Sequence, residues 1–434
     1  MIAKLAWKNI WFKPLNTVLS VILLTASVAI ISLLILLQEQ FEKQFSSNID
    51  GVDVVLGAQG SPLQLILSSV YQVDAPTGNI SYDDAKVWMK HPFVKSAIPL
   101  AFGDNYRGFK IVGTTPEYLE KFGAKVNSGK IFDKNLEVVV GSEIAKKLNI
   151  KVGDKFFGSH GDAAEGEVHE EFEYVVSGIA SETGKVIDNL ILSNVQSVWQ
   201  MHDHEHKHSE AEENPAHGEE GHIHFEGDEH EREHHDHDSH DHEHEEVAVS
   251  ENGKEITAVL IKFKNKMGFV TWPRLVAQNT KMQAASPAVE INRLFSLFGI
   301  GLEALQYLAY GIMLISGISI FIALYNTLKE RKYEFALLRV SGASRSQLLS
   351  LVLFESILLC FTGFILGTIV GRIALFLISS TTDEQYKMTF NPFAFVIEKE
   401  GILFIVTIFV GVVAALIPAI KAYRLNISKT LANA

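Results

Sequence analysis

The stretch LNTVLSVILLTASVAIISLLILL, Leu15–Leu37, decides the fold class. Its 23 residues carry no charge, and Ser, Thr and Asn16 are its only polar members. A helix of this length reaches roughly 34 Å, enough to cross the hydrocarbon core of a bilayer. It exceeds the apolar core of a secretion signal, and Gln38-Glu39-Gln40 stand where a small-residue cleavage site would be needed. An uncleaved secretion signal is the alternative reading of the same residues. Three more apolar runs lie toward the C-terminus, at about Leu302–Thr327, Gln347–Ile378 and Gly401–Ile420. The second of these is long enough to tilt or to begin as an interfacial segment.

Basic residues orient the spans. Lys4, Lys8 and Lys13 precede the first, with no acid among them. Lys329, Arg331, Lys332, Arg339 and Arg345 outnumber Glu330 and Glu334 between the second and third, and Lys421, Arg424 and Lys429 follow the fourth. Ser379–Glu400 instead holds Asp383, Glu384, Glu398 and Glu400 against two lysines. The predicted fold is therefore an α-helical membrane protein with four transmembrane helices, both termini inside (N-in, C-in), and a large mixed α/β extracytoplasmic domain between helices 1 and 2. In order, residues 1–14 are a cytoplasmic segment, 15–37 the first span and 38–300 the outer domain, with 302–327 the second span. Residues 328–346 form a cytoplasmic elbow, followed by the third span at 347–378, an outer loop at 379–400, the fourth span at 401–420 and a tail at 421–434.

Charge is distributed very unevenly. Residues 202–246 hold eighteen acidic side chains against Lys207 and Arg232, a local charge of −16, while the whole 434-residue chain carries −13. Everything outside this tract is thus slightly basic, at +3. No domain-wide basic patch offers itself to nucleic acid. A disulfide framework is excluded, because Cys360 is the only cysteine. The lack of cysteine in the outer domain is compatible with an oxidising compartment.

Within 38–300, β-rich runs at Val52–Leu56, Phe109–Val112, Leu136–Val140, Phe172–Val176, Asn189–Leu192 and Ile256–Phe263 alternate with helical periodicity at Ser142–Leu148, Asn194–Met201 and Pro287–Phe298. Val138–Glu143 reads as a strand, a turn and a helix capped by Ser142, and Leu148–Asp154 turns back into a strand. Leu56–Pro62 carries Gly57 and Gly60 near a strand end. No Gly-Lys-Ser/Thr follows, so a backbone turn at positive φ outweighs a phosphate cradle. No Gly-x-Ser-x-Gly or His-Glu-x-x-His motif is present, and enzyme readings are weak. His91, before Pro92, suits a turn or helix end better than a base. His160 and His169 flank a Gly/Glu-rich stretch and are candidates to lie near the histidine tract.

That tract, within 201–246, contains fourteen of the seventeen histidines: His202, His204, His206, His208, His217, His222, His224, His230, His234, His235, His237, His240, His242 and His244. Neutral imidazole suits zinc, copper and nickel. At about four ligands per tetrahedral zinc, fourteen histidines could fill about three sites. The interleaved carboxylates add ligands or second acceptors and a field that concentrates cations. With Ile223 and Phe225 as the only large apolar residues of 202–246, the tract cannot bury a core and is expected to be disordered without metal. A solvated polyanionic loop is the plainer reading, but the density of histidine favours metal capture.

The most specific signal is YNTLKERKYEFALLRVSGASRSQLLSLVLFES, Tyr325–Ser356. Its Glu330-Arg331, Glu334, Leu338-Arg339, Gly342-Ala343-Ser344 and Glu355 resemble the second-to-third span connection of MacB/FtsX-type ABC transporter permeases. LAWKNIWFKPLNTVLSVILL resembles that family's N-terminal helix, and AALIPAIKAYRLNISKTLANA its C-terminal end. The resemblance covers both membrane ends and the topology, the outer domain only in outline, and makes the histidine tract an insertion. It implies a multi-pass protein of the bacterial cytoplasmic (inner) membrane and an outer domain of two small α/β lobes. The implied partners are a separate ABC ATPase dimer that binds the ATP and a second copy of this chain.

Independently, a basic amphipathic elbow can dock into a groove on a soluble ATPase. Leu337, Leu338, Leu348 and Leu349 are its expected apolar contacts, and Glu334 and Arg339 set its register. A membrane-surface helix held by anionic lipid is the alternative on charge alone. Glu355 inside the third span is a functional candidate because a carboxylate at membrane depth is costly, and Glu303 is a lesser one at the outer start of the second. Gly363, Gly367 and Gly371, spaced by four, suit close helix contact, as does Ser316-Gly317, and a dimer interface is one use for them. No Gly-x-x-x-x-Gly-Lys-Ser/Thr occurs, and Lys130 and Lys185 follow glycines but precede Ile131 and Val186. The ATPase is therefore expected on another chain, and this chain is expected to be no enzyme and to hold no cofactor beyond metal, zinc above all, in the tract. The function expected is a permease subunit working by mechanotransmission, with divalent-metal handling and a periplasmic metal-binding protein as a further partner. A membrane-anchored metal buffer or sensor is the alternative, as is a permease of the same type for lipid, lipoprotein or drug.

Overall fold

The computed structural model describes residues 6, 14–159, 168–201, 253–386 and 390–425. The fourteen tract histidines and His160 lie outside the described residues, as do most of the N-terminal segment, residues 426–434 and the side chain of His169. The described chain divides into two units, one of residues up to 46 and from 292 onward, the other of residues 47–291.

The first unit is helical. Its elements are α1 (Pro14–Ile49), α8 (Pro287–Glu330), α9 (Lys332–Val340), α10 (Arg345–Tyr386) and α11 (Ile397–Tyr423). Of these, α1, α8, α10 and α11 are long and apolar enough to cross a membrane. Two differ from expectation by continuing without a break. α1 runs twelve residues past Leu37, and Pro287–Phe298, expected as a separate helix, is the first part of α8. A helix end needs a capping residue or a breaker, and Gln38–Ile49 offers neither until Gly51 at φ 81°.

Glycines set how closely these helices pack. A Cβ on Gly363 would lie 2.6 Å from Leu24, one on Gly367 2.6 Å from Val28, and one on Gly371 2.9 Å from the Ala29 carbonyl oxygen. The small-residue stripe of α10 is therefore the seat of α1 in the same chain, so it is not free to serve as the dimer interface considered above. Gly411 of α11 makes room for the Cys360 thiol in the same way, and Ser356 Oγ donates to the Gly411 carbonyl at 2.7 Å. Leu24, Val28, Ile31, Met313, Leu359 and Ala415 form the common core.

The second unit contains β1 (Val54–Ala58), α2 (Pro62–Ser69), β2 (Ile80–Ser81), α3 (Tyr82–Met89), β3 (Val94–Tyr106), β4 (Phe109–Thr114), α4 (Glu117–Phe122), β5 (Val126–Gly129), β6 (Glu137–Val140), α5 (Ser142–Leu148), β7 (Lys155–Ser159), β8 (Val168–Ala180), β9 (Ile191–Asn194), α6 (195–201), β10 (Glu255–Ile256), β11 (Ala258–Phe263), α7 (Lys266–Asn279) and β12 (Met282–Ala285). The main sheet runs β12-β1-β11-β3-β4-β9-β6-β8-β5, and β7 pairs with β3 and β8. Two cores lie along it. Val54, Leu56, Val259, Ile261, Trp272 and Val276 belong to one, and Ile111, Val138, Val140, Ile144, Tyr174 and Val176 to the other. β3 spans both, pairing with β11 through Leu100 and with β4 from Ala101. β1 and β12 are antiparallel with Val55 opposite Ala285, so the links to α1 and α8 leave the sheet at the same end.

Three local expectations change. Gly141, not Ser142, is the N-cap of α5; a Cβ there would lie 2.4 Å from the Asp188 carbonyl oxygen. Gly57 and Gly60 have no positive φ. Gly57 is small because α2 packs on it, with Leu65 2.4 Å from where its Cβ would be. His91 closes the α3–β3 turn, its Nδ1 accepting from the Phe93 amide at 3.3 Å.

A matched pair of variants tests the seat of α1. Gly367→Ala should destabilise the purified chain by about 1–3 kcal/mol relative to Gly401→Ala, which meets nothing within 4 Å. Both gain the same helix propensity, so the difference between their thermal unfolding curves in detergent reads the packing alone.

Candidate functional site

The turn between α9 and α10 is built by two interlocking backbone motifs. Gly342 sits at φ 97°, which L side chains rarely adopt. Its amide donates to the Arg339 carbonyl at 3.2 Å, and the Ala343 amide donates to the Leu338 carbonyl at 2.9 Å. This pairing is the Schellman arrangement, which satisfies the last carbonyls of α9. Ser344 then starts α10 with a capping box. Its Oγ accepts from the Gln347 amide at 3.1 Å, and Gln347 Oε1 accepts from the Ser344 amide at 2.8 Å. Arg339 braces the turn by donating to the Ala343 carbonyl at 2.8 Å. At the other end of α9, Arg331 Nε donates to Glu334 Oε2 at 2.7 Å.

The structure thus gives Arg331, Glu334, Arg339, Gly342, Ala343 and Ser344 positions in the frame of the elbow. Gln347, which sequence reasoning counted only as the first residue of a span, completes the frame; the Ser-x-x-Gln spacing was the available signal. Glu330 ends α8 and is exposed.

The four leucines expected to meet a partner separate. Leu348 is 2% exposed, packed with Ala6, Leu328, Phe335, Val352 and Ala419, and Leu338 and Leu349 are half-buried against the same cluster. Only Leu337 faces outward. It joins Tyr333 and Val340, also exposed, at the i, i+4, i+7 spacing of one helix face. The outward apolar stripe of α9 is therefore Tyr333–Leu337–Val340.

Glu355, within α10, is buried at 4% exposure, among helices and not toward lipid. Glu303 is exposed on α8. At the end of this unit opposite the elbow lies a charge that the apolar reading of the third span passed over. Arg372 Nη2 donates to both Glu400 oxygens at 2.9 and 3.1 Å and to the Ala394 carbonyl at 3.2 Å, with the Phe395 ring 4.5 Å from the guanidinium. A lone arginine inside a long apolar run was itself the signal. The same segment holds α1. Gln40 and the Asn391 backbone exchange hydrogen bonds of 3.0 and 2.7 Å, and Phe41 and Phe390 lie 5.0 Å apart, centre to centre. Among the described residues no three His, Cys, Asp or Glu side chains are grouped to hold a metal ion.

Four helices long and apolar enough to cross a membrane, a helical elbow and an α/β unit inserted after the first helix define the class, a multi-pass membrane protein with a large inserted domain. Two family models match: the FtsX-like permease C-terminal model over residues 307–427, and the MacB-like periplasmic core domain model over residues 16–212. The chain belongs to the MacB/FtsX-type ABC transporter permeases. It is accordingly a permease component of an ABC transporter, and permeases of this family are membrane proteins that work with an ABC ATPase. Among solved structures, the periplasmic region of MacB from Actinobacillus actinomycetemcomitans is 10% identical, covers 57% of this chain and 95% of its own length, and superposes with a TM-score of 0.34. The extracellular domain of the noncanonic ABC-type transporter YknZ from Gram-positive bacteria is likewise 10% identical, at 54% and 99% coverage and a TM-score of 0.30. No curated protein sequence matches the chain.

The Arg372–Glu400 pair has a clear energetic signature. Arg372→Gln or Glu400→Gln should each cost about 3–5 kcal/mol, because either leaves a mostly buried charge without its partner. Arg372→Met with Glu400→Met should cost much less. Denaturant unfolding of the purified chain in detergent distinguishes the two patterns.

Proposed function

We propose that this permease passes ATP-driven movement of a separate ATPase dimer through the elbow to the outer domain, acting as a homodimer by mechanotransmission. The observation that carries the reading is the exposed Tyr333–Leu337–Val340 stripe, held on a helix whose two ends are fixed by hydrogen-bonded turns. An apolar stripe flanked by Lys329, Lys332 and Arg345 suits a soluble protein groove with an acidic rim. In this reading the elbow and both termini are cytoplasmic, as the basic flanks of the spans favour, and the membrane is the bacterial inner membrane. Glu355, buried beside Ser356 in α10, is the intramembrane carboxylate most open to a functional role.

The histidine tract adds divalent-metal handling at the external face, zinc before other metals, with a periplasmic metal-binding protein as the natural donor or recipient. Its support is compositional: fourteen imidazoles interleaved with carboxylates. A second reading keeps the permease but gives it a lipid, lipoprotein or drug. It draws on an apolar groove of about 490 Å³ between α8 and α11, lined by Tyr310, Gly317, Phe321, Val410, Val413 and Ile417. Under that reading the tract is only regulatory.

Leu337→Asp should abolish co-purification with the ATPase while leaving the melting temperature of the free chain unchanged. Unaltered co-purification would remove the basis of the docking reading. For the metal, titration with zinc should show about three sites per chain. They should weaken as pH falls through the imidazole range, since the ligand nitrogen must be unprotonated, and vanish when residues 201–246 are deleted. If that deletion changes drug tolerance but not growth under chelation, the second reading stands instead.

A further inference from the structure

The last turn of α1 ends in an unusual joint, all of it within residues 47–291. Asn48 is 3% exposed. Its backbone carbonyl is one of those a helix C-terminus leaves without an internal partner, and here Lys121 Nζ of α4 donates to it at 2.5 Å. Its side-chain Oδ1 accepts from the Val186 amide at 3.0 Å. Val186 belongs to a turn held rigid by Asp188, whose carboxylate accepts from the Thr183 and Gly184 amides and the Thr183 hydroxyl at 2.7–3.1 Å. One asparagine thus ties the end of α1 to two separate pieces of the outer domain.

We propose that the Lys121–Asn48–Val186 joint is a proton-linked latch that fastens the end of α1 to the outer domain. The geometry sets a charge where it is poorly tolerated. The Phe122 ring 3.4 Å from the Lys121 ammonium position and the Asn48 carbonyl both favour the cation, and burial works against it. Lys185 faces it from the 183–189 turn, and Asp50 faces it from the link after α1. On its own helix Glu117 and Glu120 are exposed, and Asp188 is occupied by its own turn. Burial is the largest influence and Lys185 the next. Both oppose the charged form, outweighing Asp50, and together they lower the Lys121 pKa to about 7.

In the opened joint Lys121 reaches water and titrates near its ordinary value of about 10.4. Between about pH 7 and that value the open form binds a proton that the closed form has released, so rising pH favours closure by up to tenfold per unit. Below about pH 7 both forms are protonated and the balance is flat, at its least favourable to closure.

The latch needs neither ATPase nor metal, so its failure would leave the permease reading untouched, and the reverse holds. The test is hydrogen exchange of the full-length chain in lipid nanodiscs from pH 6 to 10. Millisecond labelling follows peptides spanning residues 44–50 and 183–190, with rates corrected for intrinsic exchange. Protection of the Val186 amide should be flat to about pH 7 and then climb up to tenfold per pH unit in the wild type, but stay flat in Lys121→Met. Asn48→Ala should lower protection throughout and keep the slope, because the lysine bonds the backbone carbonyl. Lys185→Met, which removes the facing cation, should move the onset to higher pH, and it serves even where Lys121→Met does not fold. Equal slopes in the wild type and Lys121→Met, or an onset unmoved by Lys185→Met, would overturn the latch.

Discussion

Three missing Cβ atoms hold the membrane unit together. Apolar side chains gain little by leaving lipid for protein, so helix association in a bilayer depends on how closely surfaces fit. On α10, Gly363, Gly367 and Gly371 present a groove four residues in pitch, and Leu24, Val28 and the Ala29 backbone of α1 lie in it. Everything that positions α1 farther along depends on this seat. The Gln40–Asn391 exchange and the Phe41–Phe390 contact require α1 to reach the α10–α11 connection at the right height. A helix displaced by the width of a methyl group would lose hydrogen bonds whose distance tolerance is a few tenths of an ångström.

The elbow illustrates a different economy. The pattern that marks the family is mostly turn chemistry. A left-handed residue at 342, a second amide at 343 and a capping hydroxyl at 344 reverse the chain between α9 and α10 within three residues. Arg339 spends its guanidinium on the Ala343 carbonyl, within the turn itself. In the docking reading proposed above, recognition falls to the side chains that the frame leaves outward, and Tyr333, Leu337 and Val340 lie outside the motif altogether.

The four spans were legible because uninterrupted apolar runs of twenty or more residues have almost no other use. The outer domain was legible only where its strands are β-branched, as in Val138–Val140. β3 was missed because Pro99, Gly103 and Asp104 break the pattern, although Pro99 is accommodated and its carbonyl accepts from the Thr114 hydroxyl. α7 was missed because Gly268 and Pro273 argue against a helix, while Gly268, Trp272 and Val276 line its buried face at intervals of four. At the candidate site, Gly342 and Ser344 were visible, but the inward turn of Leu348 was not. On one sequence alone, a leucine facing a partner and a leucine facing its own core look the same. Arg372 was passed over because averaging hydropathy along a span hides one charge, and its partner Glu400 lies 28 residues away.

Along α1, fastenings of different physical kinds follow one another, and they respond to different variables. The glycine seat rests on packing and is indifferent to salt and pH. The Glu39–Lys399 pair, at 2.7 Å with both side chains about two-fifths exposed, is weak and screened by salt. The Asn48 joint contains Lys121, whose pKa burial lowers to about 7, and it is the one for which the latch is proposed. In the proposed latch, the titratable group lies at the C-terminal end of α1, past the apolar run that ends at Leu37. Placed within the membrane unit, the same lysine would have faced a desolvation cost that packing could not offset.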